Sequence, residues 1–185
     1  MVFQEAHADL LTEPLEPQLF GLAPVPDRAK RTQLGAYYTP PGLARNLADL
    51  SISDHLHKSR IKIVDPACGS GIFLCEVLRA LERRGYQGEV ELIGFDVSAS
   101  AIVMANFALE YGGFAERPEV TVTVQVGDFL RLTNRIDADV IIMNPPFLAM
   151  PEMDADVRER LQKILGDAFR YRPDLSMAFT SLAQH

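Results

Sequence analysis

The chain has 185 residues, 48% of them hydrophobic and 23% charged, with a formal net charge of −7 and a pI near 5.1. These values fit one globular domain with room for a sizeable core. No apolar run approaches the ~18 residues of a membrane span, and no basic segment leads into a signal-like core, so the cytoplasm is the expected compartment. The acidic balance argues against this segment alone holding a nucleic-acid backbone, an affinity that comes mainly from Lys and Arg on phosphates. It leaves room for a basic grip on another domain or subunit. Cys68 and Cys75 lie at helical spacing without the partners of a zinc site and read as reduced thiols; no metal is expected.

Residues 1–33 carry Pro14, Pro17, Pro24 and Pro26 and read as an extended or partly ordered lead-in. The Arg28, Lys30, Arg31 cluster reads as a solvated patch. Residues 34–185 form the domain. Gly-Ala-Tyr-Tyr-Thr-Pro-Pro from Gly35 opens a helix with Thr39 as N-cap and Pro40 at its first position. Leu43, Leu47 and Leu50 share one face of it. His55 and His57 at its end do not converge on a metal, because positions two apart point in different directions on a helix.

A strand over Ile61–Val64 leads into Asp65-Pro-Ala-Cys-Gly-Ser-Gly71 and a helix from about Ile72 to Arg84, stopped by Gly85. A second strand, Val90–Phe95, ends in Asp96. Ser98 caps a helix to about Tyr111. The third strand, Val120–Val126, ends in Gly-Asp128-Phe129, and the fourth spans Val140–Met143. An amphipathic helix over Glu152–Leu165 and a last helical segment from Asp174 follow. Alternating strands and helices predict an α/β fold: a right-handed, doubly wound, mostly parallel sheet with helices on both faces. A sheet of this type ordinarily has more than four strands, so the domain is expected to be incomplete at its C-terminal end, or completed by another chain.

The strand ends carry the chemistry. Gly69 and Gly71 let the backbone approach a ligand, and the helix start offers N–H groups to a carboxylate. Asp65 can face an ammonium group. Leu74 stands where a dinucleotide fingerprint would place its third glycine, so an amino-acid-bearing nucleoside fits better. Asp96 can accept both hydroxyls of a ribose, and Asp128 with Phe129 offers an acceptor and an apolar wall to a base. Each acid could instead merely cap the next helix. Three in succession, followed by Asn144-Pro145-Pro146-Phe147, point to a site. In that loop neither proline can donate an N–H and both fix φ, leaving rigid acceptors beside an aromatic ring. Such a loop suits a planar amine: the acceptors localise its lone pair while the ring stacks on its plane.

Gly-Ala-Tyr-Tyr-Thr-Pro, Asp-Pro-Ala-Cys-Gly-Ser-Gly-Ile-Phe-Leu, Gly-Phe-Asp, Gly-Asp-Phe and Asn-Pro-Pro-Phe, in that order over about Gly35 to Phe147, resemble the S-adenosylmethionine-dependent DNA adenine-N6 methyltransferases. The class with Tyr-Thr-Pro ahead of the glycine loop includes restriction-modification and phage-defence enzymes. The resemblance implies a Rossmann-like class I methyltransferase fold. It implies that Thr39, Asp65, Ala67, Gly69 and Gly71 hold the methionine part of the cofactor, with Tyr38, Cys68 and Phe73 beside them. Asp96 with Val97 would take the ribose, and Asp128 with Phe129 the adenine. Asn144, which also borders the cofactor, and the carbonyl of Pro145 would bind the target amine on the turn stiffened by Pro146. Phe147 would stack a base flipped from the duplex; it stands where the family often has tyrosine. Arg172-Pro-Asp-Leu-Ser-Met-Ala-Phe179 is similar to the family's next motif, a helix lining the adenosine pocket. DNA is the expected partner, through a recognition domain or subunit outside these residues, and this segment alone is expected to bind the cofactor weakly or not at all and not to methylate DNA. Two other readings stay open: a methyltransferase acting on a protein glutamine or an rRNA guanine amino group, and a non-catalytic methyltransferase-like subunit.

Overall fold

The computed structural model describes residues 39–114, 116–131, 137–171 and 173–183. The expected lead-in, its basic cluster and Tyr38 lie outside them. Four strands, β1 (Arg60–Asp65), β2 (Glu89–Asp96), β3 (Val120–Val126) and β4 (Val140–Ile141), form one sheet in the order β3-β2-β1-β4. Every described pairing is parallel. The helices are α1 (Pro41–Ser51), α2 (Ile72–Arg83), α3 (Ala99–Tyr111), α4 (Ala155–Leu165) and α5 (Leu175–Ala183). Among the described residues no helix is long and apolar enough to cross a membrane.

Strand alternation divides the core. Ile61 and Ile63 of β1, Val90 and Leu92 of β2, and Val140 and Ile142 point to one face, where they pack with Leu74, Val77 and Leu78 of α2 and with α1 and α3. Val64, Phe95 and Ile141 point to the other, against Phe129 and Phe179. There α5 covers the sheet, and α4 packs behind it through Leu161 and Ala178. On β3 the valines at 120, 122 and 124 face the first core while Thr121, Thr123 and Gln125 are exposed.

Helix ends follow local rules. After α2, Gly85 takes φ +66°, its N–H donates to the Glu82 carbonyl and that of Tyr86 to the Leu81 carbonyl, each at 3.0 Å; this pair closes the helix by the glycine motif expected there. Ser98 caps α3, accepting from the Ala101 N–H at 3.3 Å.

Two expectations are corrected, the N-cap of α1 and the length of β4. The N-cap of α1 is Pro40, not Thr39, because Pro41 occupies the first turn and holds Pro40 extended, ψ 138°, as a residue before proline must be. The same helix buries Ala44 and Ala48, whose small side chains let it lie close on α2, while Leu43, Leu47 and Leu50 are exposed. The β4 ladder covers two residues rather than four; the N–H of Ile142 still donates to Val64 at 3.0 Å, and then the prolyl turn ends the pairing.

Candidate active site

Because the strands are parallel, the ends carrying Asp65, Asp96, Asp128 and Asn144 share one edge of the sheet. The order reverses there, with β2 and β4 on opposite sides of β1, which is where an open α/β sheet leaves a crevice for ligands.

The first turn is built from main-chain hydrogen bonds. The Cys68 N–H donates to the Phe95 carbonyl and that of Gly71 to the Cys68 carbonyl, both at 2.8 Å. Asp96 braces the loop from the next strand: Oδ2 accepts from the Gly69 N–H and Oδ1 from the Ser98 N–H, each at 2.8 Å. Two glycines hold positive φ. A Cβ on Gly71 (φ +81°) would lie 3.1 Å from that of Ala105, so this glycine seats α3 against the loop. A Cβ on Gly69 (φ +53°) would meet nothing within 4 Å, leaving a cradle at the mouth of the turn. No side chain caps α2, so the N–H groups of its first turn are available to a carboxylate.

Asp65 is fully buried. Its Oδ1 accepts from the Ala67 N–H at 3.1 Å, and Oδ2 has no partner among the described residues. Burial pushes its pKa up to about 8, with the charge of Asp96 adding to the shift and the Ala67 N–H opposing it. An unpartnered buried carboxyl oxygen fits an ammonium group, whose donors would satisfy it. Cys68 and Cys75 are buried and unpaired with each other, and burial raises both thiols, Cys75 to about 11. The ring of Phe73 belongs to the core under α2, so what Phe73 brings to the loop is its main chain. Val97, beside Asp96, is exposed.

The second half of the edge is held by side chains. Asp128 accepts from the Leu130 N–H through Oδ1 at 3.0 Å, and its Oδ2 takes Arg160 at 2.5 Å and Arg131 at 3.2 Å. Phe129 is buried between Phe95 and Phe179, stacked on the latter at 5.9 Å and 14°. Phe179 belongs to α5, the helix that the resemblance implies for the pocket lining. Asn144 donates through Nδ2 to the Thr39 hydroxyl at 3.1 Å, across 105 residues. That bond turns the amide so that Oδ1 is its acceptor end. Thr39 is buried and Phe147 is half-exposed beside the turn.

Sequence reasoning missed two partners, Arg160 and Arg131. Only the i, i+4 spacing of Asp156 and Arg160 hinted that this helix carries a charge cluster. It also missed that Thr39 answers Asn144, since nothing local links positions so far apart.

A Rossmann-like α/β domain with acids at successive strand ends and a polar prolyl turn beside them defines a class I methyltransferase fold. The match to a structure from Listeria monocytogenes assigned to the class I S-adenosylmethionine-dependent methyltransferases agrees: TM-score 0.62 at 20% identity, over 97% of this chain and 46% of that one. A type I restriction-modification system methyltransferase subunit from Streptococcus thermophilus superposes with TM-score 0.51 at 22% identity, over 61% of this chain and 24% of that one. The family model for N-6 DNA methylases matches residues 24–179, and the chain belongs to that family. Similar proteins include the type II methyltransferase M.BanIII of Aneurinibacillus aneurinilyticus, 31% identical over 81% of this chain and 28% of that protein. M.MamI of Microbacterium ammoniaphilum is 35% identical over 76% of this chain and 42% of its own length. The chain therefore spans less than half the length of these relatives.

Proposed function

We propose that this chain is the cofactor-binding and catalytic portion of an S-adenosylmethionine-dependent methyltransferase that modifies the N6 amine of adenine in DNA, in a restriction-modification or phage-defence system. The observation that carries the reading is Asn144-Pro145-Pro146-Phe147 at the carboxyl edge of the sheet, its amide oriented by Thr39 and its neighbours the three strand-end acids. Membership of the N-6 DNA methylase family and similarity to type II methyltransferases favour DNA over a protein glutamine or rRNA. A DNA-recognition domain or subunit, a partner that completes the fold and a cytoplasmic setting belong to the same proposal.

When bound, S-adenosylmethionine supplies an electrophilic methyl group on a sulfonium. The first turn of α2 and the Gly69 cradle fit its carboxylate end, and Asp65 Oδ2 fits its ammonium. Asp96 keeps acceptor capacity for ribose hydroxyls, since each of its oxygens carries two lone pairs and takes one described N–H. Asn144 Oδ1 and the Pro145 carbonyl accept hydrogen bonds from the target amine and draw its hydrogens out of the ring plane, which concentrates the lone pair on nitrogen. Phe147 offers its face to the base plane. The rate gain comes from placement and prearranged dipoles rather than from a strong base.

Radiolabelled methyl transfer by the intact protein should appear in duplex DNA as N6-methyladenine, and neither in rRNA nor in release-factor protein. Asn144→Ala should lower the rate by about a hundredfold or more while cofactor affinity stays near that of the wild type. Unchanged methylation by that variant would falsify the assignment of Asn144.

A further inference from the structure

The acid that the sequence places at the cofactor's base is already occupied. Among the described residues Asp128 receives one bond on Oδ1, from the Leu130 N–H, and two on Oδ2, from Arg160 and Arg131. A carboxylate offers about four acceptor sites, so Oδ2 is filled and Oδ1 keeps one.

The two arginines differ in standing. Arg131 leaves 64% of its side chain exposed and Arg160 only 19%. Arg160 also spreads its guanidinium over two acids, reaching Asp156 Oδ2 at 2.6 Å with its other terminal nitrogen. It stands on α4 beside Leu161, which is fully buried against Met153 and Ala178. A planar fork held at two points on a packed helix fixes the orientation of what it binds.

We infer that Arg160 is a positioning residue for recognition of the cofactor's base: by filling Asp128 Oδ2 it leaves Oδ1 as the acceptor for the exocyclic amine of adenine. The inference rests on the cofactor reading above. It gives α4, the helix that follows the prolyl turn, a part in choosing the cofactor. An arginine that merely braced α4 would change the affinity for any occupant of the site by the same factor. One that orients Asp128 matters only for a base with an amine to donate.

Calorimetric titration of the intact protein with S-adenosylhomocysteine and with S-inosylhomocysteine, which has an oxo group in place of the amine, separates these cases. The wild type should prefer the adenine ligand by about tenfold or more, the worth of one hydrogen bond to a charged group. Arg160→Gln should lose most of that preference while its affinity for the inosine ligand moves by less than about twofold. Arg160→Lys should recover part of it, since an ammonium can still reach Asp128 but cannot bridge to Asp156. Combining Arg160→Gln with Asp128→Asn should cost no more preference than Asp128→Asn alone. Should Arg160→Gln fail to fold, Asp156→Asn removes the second anchor and should reduce the preference by about twofold.

A preference untouched by these variants, or an equal loss for both ligands, overturns the inference and leaves the cofactor reading standing. Equal wild-type affinity for the two ligands does the same. A wild type that binds neither removes the cofactor reading, and the inference with it.

Discussion

The two halves of the sheet's carboxyl edge are held by different forces. Around Gly69 and Gly71 main-chain N–H groups are held by acceptors in the same βα units: the Asp96 carboxylate takes two, and the Phe95 and Cys68 carbonyls take two more. Around Asp128 and Asn144 the ties are side chains: Arg160 of α4 and Thr39 ahead of α1 reach in from distant segments, and Arg131 from three residues on. Main-chain ties inside a packed βα unit are insensitive to salt and tolerate little change of backbone. Ion pairs near the surface are screened, individually weak and replaceable. The first half is thus a mould and the second an adjustable clamp.

The largest test of this contrast lies at Asp65. Its folded pKa is about 8 against an ordinary 3.8, so in that interval the folded protein holds a proton that the unfolded chain has released. Stability without ligand is then greatest below the ordinary value and falls as pH rises towards about 8, where the penalty is complete. The ceiling on this effect is on the order of 5 kcal/mol. Asp65→Asn should abolish the slope and exceed the wild type in stability at about pH 8, as read by urea unfolding across pH. Parallel profiles for the two proteins would show that Asp65 is not held neutral.

Gly71→Ala should come next. A left-handed residue with a side chain, pressed on Ala105, should cost about 2–4 kcal/mol in the same assay. Gly69→Ala, with open space at its Cβ, should cost about 1–2 kcal/mol and yet weaken cofactor binding more than Gly71→Ala does per unit of stability lost. If the two glycines behave alike, the cradle at Gly69 has no ligand to serve.

The clamp predicts smaller numbers. Thr39→Val removes the acceptor that orients Asn144 and should slow methyl transfer about tenfold, more than it lowers cofactor affinity. A matching loss of affinity would mean that Thr39 serves the cofactor instead. Smallest of all, Asp156→Asn should change the free energy of unfolding by less than about 1 kcal/mol, and added salt should erase the difference. A large, salt-resistant effect would make the cluster part of the mould.

Much of the scaffold could be read from local rules. The segments over 61–64, 90–95 and 120–126 became strands within a residue or two. Here β1 buries residues on both faces, as a strand between helix layers does, and β3 alternates Val with Thr or Gln because one of its faces is exposed. The stop at Gly85 and the cap at Ser98 were legible because both act over a few bonds. The buried face of α1 was not. Leucines at 43, 47 and 50 carry the stronger periodic signal, yet close approach to α2 chose the alanines. Length also misled at β4, where four apolar residues in sequence pair over only two.

The three strand-end acids show where sequence ends and tertiary structure begins. By itself the chain determined that each acid follows a strand, that glycines bend the first turn, and that prolines stiffen the last. All are consequences of backbone chemistry within a few residues. Only folding decided that Asp65 is buried with Oδ2 unpartnered among the described residues, that the Asp96 carboxylate braces main-chain N–H groups and that Asp128 is gripped by Arg160. The sorting depends on solvent exclusion and on charges brought close from helices far along the chain, and one-dimensional spacing encodes neither.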